Sequence, residues 1–181
     1  MKMVALLRGV NVGRGKRVAM ADLRQLAESF GWRDVSTILA TGNVIFSAPR
    51  MSPAKARTTL ETGLRVELGL QTRVGVLTAA EVSTLIDEQP FGDTVTNPSR
   101  LLGAAYLDSR ARAALEPLAH RNWSPGALAL GTHAAYVWCP DGILASPLVE
   151  AAAKAARDGL TSRNWATWAK ISQKLLLRHR D

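Results

Sequence analysis

One order of elements occurs twice in this chain, and that repetition constrains the fold more than any single motif. Residues 3–8 are apolar on both faces and end at Arg8, the pattern of a buried strand. Met20, Leu23, Leu26, Ala27 and Phe30 fall on one stripe of a helix over 20–30, with Gly31 as its natural stop. Residues 34–40 and 43–48 read as two strands joined by the turn chemistry of Thr41, Gly42 and Asn43. Ser52 as N-cap and Pro53 at the first helical position open a helix that Gly69 closes, and 72–77 is a fourth strand. The order is βαββαβ, the split βαβ of a ferredoxin-like unit.

A capping box of Thr78 with Glu81 then opens a helix to about Glu88, and a polar stretch with two prolines over 89–99 reads as a connector. The pattern restarts with a strand over 100–107 and a helix over 109–121 that should weaken or end near Pro117. Residues 126–131 and 133–139 predict a hairpin around Gly131 and Thr132. Ser146 and Pro147 start a helix that Gly159 stops. Where the repeat requires a final strand, the sequence instead predicts a helix from about Arg163 to Arg178, capped by Thr161 or Ser162. Its core face would hold Trp165, Trp168, Ala169, Ser172, Leu175 and Leu176, and Lys170, Lys174, Arg178 and Arg180 would decorate the rest.

The expected fold is α+β, with two ferredoxin-like halves packed together: a βαββαβ half over 1–77, a helix and connector over 78–99, and a βαββα half with a C-terminal helix over 100–181. The two-sided apolar character of residues 4–7 predicts that both faces of the first sheet are covered, the second by the other half.

Composition narrows the setting. The chain has 181 residues, 47% of them hydrophobic, which is ample for a core. No apolar run approaches the ~18 residues of a membrane helix, so no membrane partner is expected. The single cysteine, Cys139, forms no internal disulfide and suits a reducing, cytoplasmic setting. The net charge of +8 favours anionic partners. The excess sits at the two ends of the chain: residues 1–50 hold eight Lys/Arg against three Asp/Glu, and residues 151–181 hold seven against two.

Three stretches carry candidate chemistry. The loop from Arg8 to Arg17 follows a strand, precedes a helix and holds Arg8, Arg14, Lys16 and Arg17 with no acid. Its glycines fit neither G-x-G-x-x-G nor a Walker A loop, since Arg17 stands where Ser or Thr is required. They do allow backbone N–H groups to converge on an anion. At Thr161–Asn164, a helix start with Arg163 beside it would favour the same kind of ligand. The turn at 40–44 contributes Thr41 and Asn43. Nucleophile and metal patterns are poor. His133 and Cys139 lie six apart on one predicted strand, about 20 Å along it. His120 and His179 sit near predicted helix ends, and no histidine pair has metal-ligand spacing. No cofactor is implied and no catalytic residue stands out.

These stretches also carry a resemblance. Residues 5–47 and the stretch "TSRNWATWAKISQKL" are similar to the uncharacterised bacterial family called domain of unknown function 1697. Members of that family begin with Leu-Arg-Gly-x-Asn-Val-Gly, continue with a Ser-Gly-Asn-Val hairpin and finish with Thr-x-Arg-Asn-Trp. Here Thr41 replaces the usual serine, and Arg14 stands where a second loop glycine is typical. The resemblance implies a two-part α+β fold and supplies no established activity. It marks Arg8, Asn11, Gly13, Gly42, Asn43, Thr161, Arg163, Asn164 and Trp165 as family-pattern positions.

Together these features predict one polar pocket formed by the three stretches, with Arg8, Lys16 and Arg163 carrying charge. Gly13 would add a backbone N–H, and Asn11, Asn43, Thr161 and Asn164 would add oriented polar contacts. The expected role is an anion- or phosphate-binding module for a nucleotide or nucleic acid. Two alternatives stand beside it. One is an enzyme acting on a small phosphorylated or carboxylated substrate in the same pocket. The other is an interaction or scaffold protein whose motifs lock loops to backbone carbonyls.

Overall fold

A computed structural model describes residues 1–176 of the chain. These residues form two compact units, Met1–Glu81 with the described part of the chain from Lys170, and Val82–Ala169.

The first unit is a βαββαβ fold. Strand β1 (Lys2–Leu7) leads through a long loop to helix α1 (Met20–Ser29), then β2 (Arg33–Ile38), β3 (Asn43–Ser47), α2 (Pro53–Glu67) and β4 (Val74–Thr78). The sheet order is β2-β3-β1-β4, with every neighbouring pair antiparallel. Strand β1 is paired along both edges, and Met3, Val4, Ala5, Leu6 and Leu7 are all solvent-free. Met3, Ala5 and Leu7 pack with Leu23, Leu26, Leu60 and Leu64 under the two helices. Each such leucine contributes roughly 1.5–3 kcal/mol by leaving water. At one end the core is aromatic: Trp32 stacks on Phe46 at 3.9 Å, and Phe30 meets Trp32 edge-on at 5.2 Å.

The helix limits follow local chemistry. Ser52 accepts from the Lys55 N–H at 3.2 Å and so caps α2 at its proline start. Helix α3 (Ala79–Asp87) opens on a reciprocal box, in which the Thr78 N–H donates to Glu81 and the Glu81 N–H donates to Thr78 Oγ1.

The second unit repeats the order with β5 (Leu101–Tyr106), α4 (Ser109–Ala119), β6 (Ala127–Leu130), β7 (Ala134–Trp138), α5 (Pro147–Ala156) and β8 (Leu160–Asn164). Its sheet runs β6-β7-β5-β8, the same arrangement as the first. The helix-facing core here is made of small residues, Ala104, Ala111, Ala135, Ala152 and Ala156, around Leu115. Helix α6 (Trp165–Leu176) follows β8 directly.

Three sequence expectations are corrected, and a fourth, at Pro117, is met. The repeat is complete, because 160–164 is a strand paired antiparallel with β5 rather than a helix entrance. Its alternation is unusual: Thr161 and Arg163 are the buried positions and Ser162 is exposed. Helix α4 ends at Ala119, in the turn that holds Pro117, close to where the sequence places its end. Helix α5 ends at Ala156 with Arg157 in the left-handed region (φ +52), while Gly159 approaches Ala111 so closely that a β-carbon would stand 2.9 Å from its methyl. The buried face of α6 is Thr167, Trp168, Ile171 and Leu175, so Ala169 and Leu176 are exposed. Arg178, His179 and Arg180 lie outside the described residues.

Candidate functional site

The loop between β1 and α1 is held at several points. The Arg8 N–H donates to the Arg73 carbonyl at 2.9 Å, and Thr72 Oγ1 donates to the Arg8 carbonyl at 2.6 Å, so β1 continues as a ladder to its last residue. Beyond it, Gly9, Asn11 and Gly13 all have left-handed backbones, with φ of +64, +55 and +52. Glycine takes this conformation without steric cost, and asparagine is among the few other residues that tolerate it. Val10 is buried between them and bridges to Lys16.

Asn11 is the brace. Its side-chain amide donates to the carbonyls of Val18 at 2.8 Å and Ala40 at 2.7 Å, and its Oδ1 accepts from the Val18 N–H at 3.0 Å. The Asn11 N–H donates to the Lys16 carbonyl at 2.7 Å. Lys16 Nζ donates to the Gln71 carbonyl, and the Arg17 guanidinium donates to the Gly13 carbonyl. Arg14, Lys16 and Arg17 are exposed, and Arg8 is half-buried.

The loop and the 40–44 turn meet. The Leu7 N–H donates to the Gly42 carbonyl at 2.9 Å. Gly42 has φ +72, and a β-carbon on it would lie 2.5 Å from Val10 Cγ2 and 2.9 Å from Leu7 Cβ. Only glycine fits there. Asn43 is fully buried, its amide donating to the Ile38 carbonyl at 2.9 Å and to Thr41 Oγ1 at 3.0 Å. Two of the three sequence stretches are therefore joined in one unit by direct contacts.

The third stretch lies in the second unit. Arg163 faces Gly103 across the β5–β8 ladder. Its guanidinium donates to Thr161 Oγ1 at 3.1 Å and to the Ser162 carbonyl at 2.8 Å. Burial pushes its pKa down to about 10, which leaves it protonated at neutral pH. Thr161 and Ser162 do not cap the last helix. That role belongs to Asn164, whose Oδ1 accepts from the Thr167 N–H at 2.9 Å and from its hydroxyl at 2.8 Å. Beside them, Gly103 leaves room for the Trp168 indole, whose Nε1 donates to the Gly103 carbonyl at 2.9 Å.

Chemically, the first-unit loop offers concentrated positive charge on a pre-shaped backbone. Left-handed residues stand at alternate positions along it, Gly9, Asn11 and Gly13. Sequence reasoning missed the Thr72–Arg73 contribution, because those residues join the loop only through pairing of β4 with β1. His133 and Cys139 flank β7, and burial raises the Cys139 thiol pKa. Among the described residues, no group of three or more His, Cys, Asp or Glu side chains is placed to hold a metal ion, and no helix is long and apolar enough to cross a membrane.

Residues 1–136 match the family described as "Protein of unknown function (DUF1697)". Among solved structures, the chain is similar to a conserved bacterial protein from Streptococcus pneumoniae. The two are 21% identical with a TM-score of 0.75, over 96% of this chain and 98% of the other, which is a likeness of fold. No curated protein matches the chain.

Proposed function

The chain belongs to the DUF1697 family of proteins of unknown function, and we propose that it is a phosphate-binding module whose site is the β1–α1 loop, with a nucleotide or nucleic acid as ligand. One observation carries this reading. Twelve residues, 8–19, connect β1 to α1, where βα connections usually take about 2–6. They are braced by Asn11 rather than left as a loose excursion. In this reading Arg8, Arg14, Lys16 and Arg17 supply charge, and Gly13 presents its N–H. Asn11 and Asn43 position the loop and its supporting turn. Thr161, Arg163 and Asn164 are framework of the second unit.

The test is binding of a mixed-sequence oligonucleotide and of ATP across a salt series. Removing one phosphate-binding side chain should lower the salt slope by about 1. The Arg14→Ala/Arg17→Ala double variant should therefore flatten the slope while leaving the melting temperature nearly unchanged. Equal slopes for wild type and variant would reject the site.

A second reading, a scaffold without a ligand, is favoured by the way Asn11, Asn43 and Arg163 donate to backbone carbonyls. It predicts no saturable anion binding at the loop at all.

A further inference from the structure

The second unit holds a cluster of charged and hydroxyl groups that the anion-binding reading does not use. Glu88 lies one residue beyond α3 and accepts from both the Thr132 N–H, at 2.7 Å, and the Thr132 hydroxyl, at 2.5 Å. These two donors hold its carboxyl below the usual carboxylate range, so it is ionised at neutral pH. Gly131 permits the arrangement, since a β-carbon there would stand 2.7 Å from Glu88 Oε2 and 3.0 Å from the Tyr136 hydroxyl oxygen.

The same carboxylate lines a cleft of about 600 Å³ with Arg112, Leu130, Gly131 and Thr132. The lining therefore offers a pre-positioned carboxylate, a guanidinium and one aliphatic side chain. Arg112 meets Glu116 at 3.4 Å on the surface of α4, and His120 reaches the same Glu116 at 4.0 Å. A single long contact of that kind uses little of a five-donor guanidinium. The Tyr106 hydroxyl belongs to the same unit. It is buried, has no hydrogen-bond partner among the described residues, and has Arg112, Glu116 and Glu88 as charged neighbours.

We propose that this cleft binds a small zwitterion, an α-amino acid or a compound of the same chemistry. Its ammonium lies on Glu88, its carboxylate on Arg112 and its apolar part against Leu130. A ligand with one charge pairs with only one of these two groups. A nucleotide brings a polyanion against Glu88 and is repelled. The site is thus separate in chemistry and in unit from the basic loop.

Isothermal titration of the full chain with L-leucine, 3-methylbutylamine and 4-methylpentanoate tests this. L-leucine should bind saturably, and each single-charge analogue should bind about tenfold more weakly or worse. Arg112→Gln, on an exposed helix surface, should keep the wild-type melting temperature and reduce L-leucine to the level of the amine. Glu88→Gln should reduce it to the level of the acid. Arg14→Ala/Arg17→Ala should leave L-leucine binding unchanged. The proposal is overturned if L-leucine shows no saturation by about 10 mM, if either analogue binds as well as L-leucine, or if Arg112→Gln binds it like wild type.

Discussion

The two halves make the same step, from first strand to first helix, in different ways. In the second half two residues suffice: Leu107 is buried, and Asp108 caps α4 by accepting from the Arg110 and Ala111 N–H groups at 3.1 Å each. In the first half the step takes twelve residues, and α1 begins after Ala19 without a side-chain cap. The strand order is the same in both. The longer connection is therefore not needed to close this topology. It also holds four of the chain's 23 Lys/Arg residues and no acid. The hairpins differ in parallel: the turn at Gly42 is closed by Val10 from that loop, and the one at Gly131 by the Glu88 carboxylate.

The largest expected effect compares those two glycines. Gly42→Ala places a methyl against Val10 and Leu7 in a left-handed conformation, and should cost about 2–4 kcal/mol in urea denaturation. Gly131→Ala meets the end of the Glu88 side chain and the Tyr136 ring, and should cost about 1–2 kcal/mol. The reverse ranking would mean that the basic loop does not press on its hairpin.

Next comes the pair of residues that secure each connection. Asn11→Ala strands two carbonyls and one N–H and should cost about 1–3 kcal/mol. Asp108→Ala removes one helix cap and should cost about 1 kcal/mol. Asn11→Ala should also weaken oligonucleotide binding without removing any charge, an effect that Asp108→Ala does not share. Equal binding by both variants would show that the brace has no part in ligand capture.

Much of the fold was legible because its boundaries are written locally. Ser52 with Pro53, Ser146 with Pro147, and Thr78 with Glu81 each fix a helix start through groups within three residues. Strand β8 was not legible for the opposite reason. Thr-Ser-Arg-Asn is polar and looks like cap chemistry, and a buried arginine and threonine give no apolar alternation to mark a strand. The neighbouring motif misled by only a little, since the cap is Asn164, two residues beyond Ser162. In the candidate site, the residue types were readable and their partners were not. Asn11 reaches Ala40 across 29 residues and Lys16 reaches Gln71 across 55. No linear spacing records contacts of that length, which exist only once β1 lies between β3 and β4.

The smallest expected effect separates the two hairpins by pH. Glu88 titrates lower in the folded chain than in the unfolded one, because its charged form accepts both hydrogen bonds from Thr132. Its contribution is therefore complete above the unfolded pKa and disappears as pH falls through the folded value. The first-half turn is tied by Asn11 to Ala40, an amide-to-carbonyl bond with no titrating member. In an NMR titration, the Thr132 amide should move with a midpoint below that of an ordinary glutamate, while the Asn11 side-chain amide stays still over the same range. If the two signals moved together, one acid-induced opening would govern both turns, and the contrast between a carboxylate clamp and a loop brace would vanish.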